Sequence, residues 1–316
     1  MKFFRSKTYH YLLGLTLAIT VFISFETPVG GSFRDAAMLS MADVTDITPV
    51  RAQLVKSADA SGKALAKDFT GTERSIDVPK DFAVKEGENF VAEFNYRPAD
   101  STYTLAKLIR VEPALVFPLI QGLGELGRNI LFHVPMSFVA TVLFFIGTIY
   151  SILLLRKRNM VYDLQARAYS AIGLLYTLLA TITGSIWAKF SWGTFWNFDP
   201  RESSILVLLL IYIAYFLLRS LLEEGEEKKA RIAAVYNIIA FVTVPFLMFV
   251  LPRITQSLHP GGGDSVAPVI NLSGKAYIDP TLKIVMWANV TLFLLISIWI
   301  KEIYVRIFRL EEKQEV

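Results

Sequence analysis

Six stretches of the chain are almost uninterrupted in apolar residues, at roughly 9–26, 131–155, 168–188, 203–222, 232–252 and 284–300. A helix crosses the hydrocarbon core of a bilayer with about 20 mainly apolar residues, so the pattern predicts six transmembrane helices. Between the first two stretches the pattern changes. Residues 40–112 are polar, with charges of both signs, and Arg74–Val78 and Asn89–Tyr96 alternate apolar and polar positions as strands do. Thr102–Val111 reads as a third strand, and Lys85-Glu86-Gly87-Glu88 and Arg97-Pro98-Ala99-Asp100 supply turns. This segment predicts a small antiparallel β-rich domain, an incomplete barrel. Residues 113–130 read as an interfacial helix leading into the second span.

Basic residues orient the spans. Lys2, Arg5 and Lys7, then Arg156-Lys157-Arg158 and Arg167, then Lys228, Lys229 and Arg231, and finally Lys301, Arg306 and Arg309 mark alternate ends. Lysine and arginine concentrate on the cytoplasmic side, which puts both termini inside and the segments 27–130, 189–202 and 253–283 outside. The expected class is an all-α polytopic membrane protein with six transmembrane helices and an inserted small external β-rich domain. Its parts are an anchor at 1–26, the β-rich domain at 27–112, an interfacial linker at 113–130, a membrane domain at 131–300 and a cytoplasmic tail at 301–316. The start of the chain also has the look of a signal peptide, but Phe25-Glu26-Thr27-Pro28-Val29-Gly30 offers no small-x-small cleavage site, which favours a retained anchor.

Composition narrows the chemistry. Apolar residues make up 53% of the chain and the mean hydropathy is +0.46, as expected of an integral membrane protein. The net charge of +4 is small and its basic residues flank the spans, giving no case for nucleic acid. With no cysteine and only His10, His133 and His259, thiolate chemistry is excluded and imidazole chemistry has few places to reside. The spans carry almost no ionisable residue, which argues against proton-driven transport, and no Walker motif is present.

The densest chemistry lies at 187–202, at the outer membrane surface in this orientation. Three of the five tryptophans, Trp187, Trp192 and Trp196, fall within ten residues there, with Gly193, Phe198, Asp199 and Arg201 among them. An interfacial aromatic belt is the ordinary explanation. A belt does not require the Trp-Gly-x-x-Trp spacing followed by Phe-Asp-Pro, which suits a shelf for a large, flat, apolar ligand with charged edges. His133 lies in Arg128-Asn-Ile-Leu-Phe-His133-Val-Pro135, where Pro135 fits a first helical turn, and His259 lies in Leu258-His259-Pro260-Gly261. Both fall on the outer side, beside the shelf. Neutral imidazole is a good axial ligand for haem iron, and two from separate loops can clamp a porphyrin; a lone interfacial polar residue is the plainer reading of either one.

Residues 192–199, Trp-Gly-Thr-Phe-Trp-Asn-Phe-Asp, resemble the tryptophan-rich signature Trp-Gly-x-x-Trp-x-Trp-Asp of the CcmC/CcsA group, specifically the CcmC type of haem-handling proteins in bacterial cytochrome c maturation. Thr183–Trp187, Arg128–Pro135 and Asn237–His259 resemble the flanking motifs, so the likeness covers about 120–300 and the first anchor. It implies haem b held at the outer face of the cytoplasmic membrane and passed to a periplasmic haem chaperone (CcmE type), with ABC transporter subunits assisting release. It also implies His133 and His259 as iron ligands, and a platform of Trp192, Gly193, Trp196 and Asp199 with Trp187 and Phe198 beside it. Arg128, Lys189, Arg201 and Arg253 are candidates for the propionates, against the alternative of lipid headgroup contacts. On this reading the protein delivers haem and is not an enzyme. Two alternatives stay open, a CcsA-like cytochrome c synthase subunit and a haem-free assembly factor. Phe198 stands where the signature has its third tryptophan, Asp199-Pro200-Arg201-Glu202 resembles the CcsA-type ending, and a minimal CcmC-type chain lacks the 40–112 domain.

Overall fold

A computed structural model describes residues 6–41, 47–119, 124–258 and 280–314. His259 and the N-terminal Lys2 and Arg5 lie outside the described residues, as does the side chain of Arg253. The chain forms two compact units, one drawn from Met1–Ala18, Asn129–Ile278 and Met286–Val316, the other from Ile19–Arg128 and Asp279–Val285.

The first unit is helical. Its members are the start of α1 (Lys7–Glu26), α3 (Ile130–Lys157), α4 (Met160–Trp192), α5 (Pro200–Leu221), α6 (Glu226–Pro245), the short α7 (Leu251–Ile254) and most of α8 (Pro280–Gln314). Six helices among the described residues are long and apolar enough to cross a membrane, the number the hydropathy pattern predicts. They share one core, to which α1 gives Leu13, α3 Val139 and Leu143, α4 Ile172, α5 Leu208, α6 Val244 and α8 Val290. Phe144 of α3 stacks on Tyr212 of α5 within it.

Several polar groups inside the bundle are paired across helices. The Asn237 side chain of α6 donates to Ser151 Oγ of α3 at 2.9 Å and accepts from Ser170 of α4 at 3.4 Å, with all three residues buried. Interhelical bonds of this kind contribute about 0.6–2 kcal/mol in membranes, where no water competes for the groups. At the far end of the bundle, Arg219 in the last turn of α5 forks onto Asp163 in the first turn of α4, at 2.8 and 2.6 Å. Each charge also suits the dipole of its own helix, acid at the start and base at the end. The turn between α3 and α4 is tight: Arg158 takes a left-handed backbone, and the Asn159 side chain caps α4 by accepting from the Val161 amide.

The second unit is built around a barrel. β2 (Thr48–Lys56), β3 (Lys63–Asp68), β4 (Glu73–Asp77), β5 (Asn89–Arg97) and β6 (Thr102–Val111) close in the order β2-β3-β4-β6-β5. The alternation read in the sequence points Phe90, Ala92 and Phe94 inward from β5, opposite Ala52, Val50 and Thr48 of β2 respectively. The ring is complete, and β4 and β6 run parallel, which departs from the incomplete, wholly antiparallel sheet expected. The strand order is that of five-stranded barrels of the OB kind, an architecture that hosts many functions and by itself assigns none. α2 (Phe33–Met41) contributes Phe33 to the barrel core, where it meets Phe94 and Tyr103 edge-on. Buried Asp68 fixes that junction: it accepts from the Phe33 amide and, with its other oxygen, from the amides of Thr70 and Thr72 in the β3–β4 turn.

The barrel's two connections meet. β1 (Val29–Gly30) pairs in parallel with β7 (Phe117–Pro118), and the Phe117 amide donates to the Pro28 carbonyl at 2.8 Å. The described part of 113–130 therefore contains β7 and a short 3₁₀ helix at Gly124–Asn129, instead of the single interfacial helix predicted there. Arg128 at the end of that turn donates to the Ser24 carbonyl at 2.9 Å and pairs with Glu125.

Candidate functional site

The tryptophan segment occupies the end of the helical unit where α4 stops and α5 starts. α4 ends on Trp192 because Gly193 comes next with φ +84°, a left-handed backbone that costs glycine little, and its amide closes the helix on the Lys189 carbonyl. The Lys189 ammonium donates to the Gly193 carbonyl at 2.9 Å and lies over the Phe195 ring. Thr194 donates to Asn197 Oδ1 at 2.6 Å and closes the loop on itself.

α5 begins with a full capping box. Asp199 accepts from the Arg201 amide at 2.9 Å, while Glu202 reaches back to the amides of Asn197 and Asp199 at 2.7 and 3.3 Å. Pro200 takes the first helical position, which its missing N–H suits. The loop that results presents aromatic faces. Phe198 is 80% exposed, on a backbone with φ +55° that is unusual for a bulky residue. Phe195 is exposed as well, with Trp192 and Trp196 half-buried behind, and Trp196 meets Phe198 edge-on at 6.3 Å.

His133 is the fourth residue of α3, which starts within one residue of the predicted limit, and Pro135 lies inside the helix instead of in its first turn. Its ring lies edge-on to Trp187 of α4 at 6.4 Å. Nδ1 is 3.0 Å from the Ala180 carbonyl and 3.1 Å from Thr183 Oγ1, whose own hydroxyl donates to helix carbonyls. A carbonyl only accepts, so Nδ1 carries the proton and Nε2 is the basic nitrogen of the ring. Backbone orientation of one ring nitrogen in this way is the usual support for an imidazole that binds metal through the other.

Gly184 supplies the space for the ring. A Cβ there would stand 2.9 Å from His133 Cε1. Asn129, just before α3, donates to the Thr183 carbonyl at 2.9 Å and fixes the same turn of α4 from the other side. Sequence reasoning named Asn129, Thr183 and Gly184 only as parts of motifs and missed Ala180. The available signal was helical spacing: Ala180, Thr183, Gly184 and Trp187 recur at three- and four-residue steps along one face of α4.

The structure thus brings His133 to Trp187, and gathers Trp192, Gly193, Trp196, Phe198, Asp199 and Arg201 in one loop and helix start. Arg128 belongs to the other unit, engaged with Glu125 and Ser24. Three side-chain atoms of the segment, Ser191 Oγ, Arg201 Nε and Glu202 Oε1, are buried without a partner among the described residues. Buried polar atoms are almost always satisfied in native proteins; the Arg201 N–H suits an anionic ligand edge, whereas the Glu202 oxygen calls for a donor. Asp199 is only 4% exposed, and its carboxylate reaches beyond the loop, to the Ser257 hydroxyl at 3.0 Å and the Leu258 amide at 2.7 Å.

A family model described as CcmC, heme exporter protein C, matches residues 115–315. The chain is 33% identical over 145 residues to "Heme exporter protein C" of Paracoccus denitrificans, covering 46% of this chain and 60% of that protein. It is 30% identical over 161 residues to the protein of the same name from Rhodobacter capsulatus, covering 49% and 66%. It is 29% identical over 177 residues to "Cytochrome c biogenesis protein CcsA" of Chlamydomonas reinhardtii, covering 52% and 47%. The chain therefore spans about half to two thirds of the length of the curated relatives it matches.

Proposed function

The chain belongs to the CcmC, heme exporter protein C, family, whose model covers more than half of it, and from that premise we propose that it binds haem b at the outer face of the bacterial cytoplasmic membrane and delivers it to a periplasmic haem chaperone in cytochrome c biogenesis. The observation that carries this reading is the held imidazole of His133, oriented through Nδ1 by the Ala180 carbonyl beside Trp187. Its Nε2 has the basicity an axial iron ligand needs.

Each residue has a role in the proposal. His133 and His259 ligate the iron. Trp187, Trp192, Trp196 and Phe198 cover the porphyrin by area burial and stacking, and Gly193 sets the turn between them. Arg201, whose Nε has no partner among the described residues, takes a propionate, and Arg128 is the second candidate. The chemistry is binding and release, with no covalent step assigned to the chain, and the partners are a CcmE-type chaperone, ABC transporter subunits and the bilayer. The 29% identity to CcsA favours a second reading as a synthase subunit.

An absorption spectrum of the detergent-purified protein, before and after reduction, tests the proposal. Bis-imidazole bands are the expected result; a colourless preparation made under conditions that retain cofactors would leave only the assembly-factor alternative. The orientation rests on the distribution of Lys and Arg. Reporter fusions at Arg158 and Lys229 should read cytoplasmic and one at Gly262 external. A cytoplasmic Gly262 reporter would put His259 on the wrong side and end the two-ligand scheme.

A further inference from the structure

We propose that Asp199 is a positioning residue that latches the chain leading into His259 to the tryptophan segment. The inference rests on the reading of His259 as an iron ligand. The tryptophan-rich signature groups Asp199 with the aromatic platform, but its carboxylate is turned inward and committed to backbone and hydroxyl groups. Oδ1 accepts from the Arg201 amide, capping α5, and from Ser257 Oγ at 3.0 Å; Oδ2 accepts from the Leu258 amide at 2.7 Å. Leu258 is the residue immediately before His259.

The segment that Asp199 holds has little other regular structure. α6 ends at Pro245 and continues as one π-helical stretch, Phe246–Val250, then as the four-residue α7, and Thr255 is already extended. A π stretch adds a residue to the turn and re-aims the chain beyond it. One buried carboxylate thus joins two segments 58 and 59 residues apart in sequence: the loop that carries the aromatic faces and the stretch that delivers the second imidazole. Hydrogen bonds from a backbone N–H to an ionised carboxylate are shorter and stronger than neutral ones. Aspartate is required because both oxygens accept. Asparagine would still cap α5, but its single acceptor cannot serve both sides, and its amide N–H would face the Leu258 N–H.

Asp199→Asn therefore separates the latch from the cap. Hydrogen exchange on the full-length haem-free protein in detergent should show the Leu258 amide exchanging about tenfold to a hundredfold faster, the factor that losing one hydrogen bond to a charged group implies. The first-turn amides of α5 should stay unchanged. With haem bound, the variant should lose low-spin six-coordinate signal, and added imidazole should restore it, as for His259→Gly. Ser257→Ala, which leaves the cap untouched, should shift both readouts in the same direction by less, and it decides the matter if Asp199→Asn loosens all of α5. Unchanged exchange at Leu258 in both variants overturns the latch. Faster exchange with a wild-type spectrum, where His259→Gly does change the spectrum, overturns its role in positioning the histidine. If His259→Gly itself leaves the spectrum unchanged, the ligand assignment is what fails, and the exchange result still reports on the latch.

Discussion

Replacing His133 or His259 by glycine should convert the haem-loaded protein from a six-coordinate to a five-coordinate iron spectrum, and added imidazole should restore the six-coordinate form. The double variant should lose essentially all of its haem unless imidazole is present. A glycine leaves a hole of the right shape for free imidazole, so repair distinguishes a lost ligand from a damaged fold. The two sites differ in support. His133 is held by two contacts to α4 through its Nδ1, so His133→Gly also removes a tie between α3 and α4, and repair by imidazole is what separates loss of the ligand from loss of that tie. Trp196→Ala is the comparator: it should lower haem content by removing stacking area, with no spectrum that imidazole repairs. If both histidine variants keep full haem content and unchanged bis-imidazole bands, neither is a ligand. His10 would then be the only imidazole remaining, and the haem proposal would fall with them.

Arg219→Met should destabilise the helical unit more than any surface substitution. It leaves the Asp163 carboxylate buried without its forked partner, and breaking a buried pair from one side costs about 3–5 kcal/mol. In a thermal melt this is a drop on the order of ten degrees. Asp163→Leu combined with Arg219→Met should recover most of the loss, because an apolar pair of similar volume carries no desolvation penalty. Lys228→Met provides the control. It breaks the exposed pair with Glu224, which lies four residues earlier and just before α6, a pair that contributes about 0.5 kcal/mol or less. An Arg219→Met melt indistinguishable from that control, or a double variant no better than the single, would show that the pair does not hold α4 to α5.

The spans were legible because hydropathy alone encodes them: each is a long apolar run, although α4 begins at Met160 and α8 continues to Gln314, well beyond the apolar limits of 168 and 300, because polar helical turns carry no hydropathy signal. β5 and β6 were legible for a related reason, since large side chains such as Phe90 and Phe94 mark the inward face. β3 escaped notice because its inward residues are Ala64 and Ala66, too small to stand out among the flanking lysines. Closure of the barrel could not be read at all, since it depends on β4 finding β6 in parallel across an intervening strand. At the candidate site, residue type exposed His133 and the tryptophans. What the sequence hid was reach: the contacts from α4 to His133 and from Asp199 to 257–258 span 47 to 59 residues, and no local pattern records them.

The hydrogen bond from the Phe117 amide to the Pro28 carbonyl brings the two ends of the barrel segment to one place. Everything from Val29 to Val116 is an excursion that leaves and returns there. Such an excursion is a natural cassette. Its length scarcely matters to the rest of the chain, because doubling a loop adds only about 0.6 kcal/mol of closure entropy. A lineage can therefore acquire, exchange or discard the barrel while the six spans keep their order, and a short linker from Pro28 to Phe117 would be the engineered form of that loss.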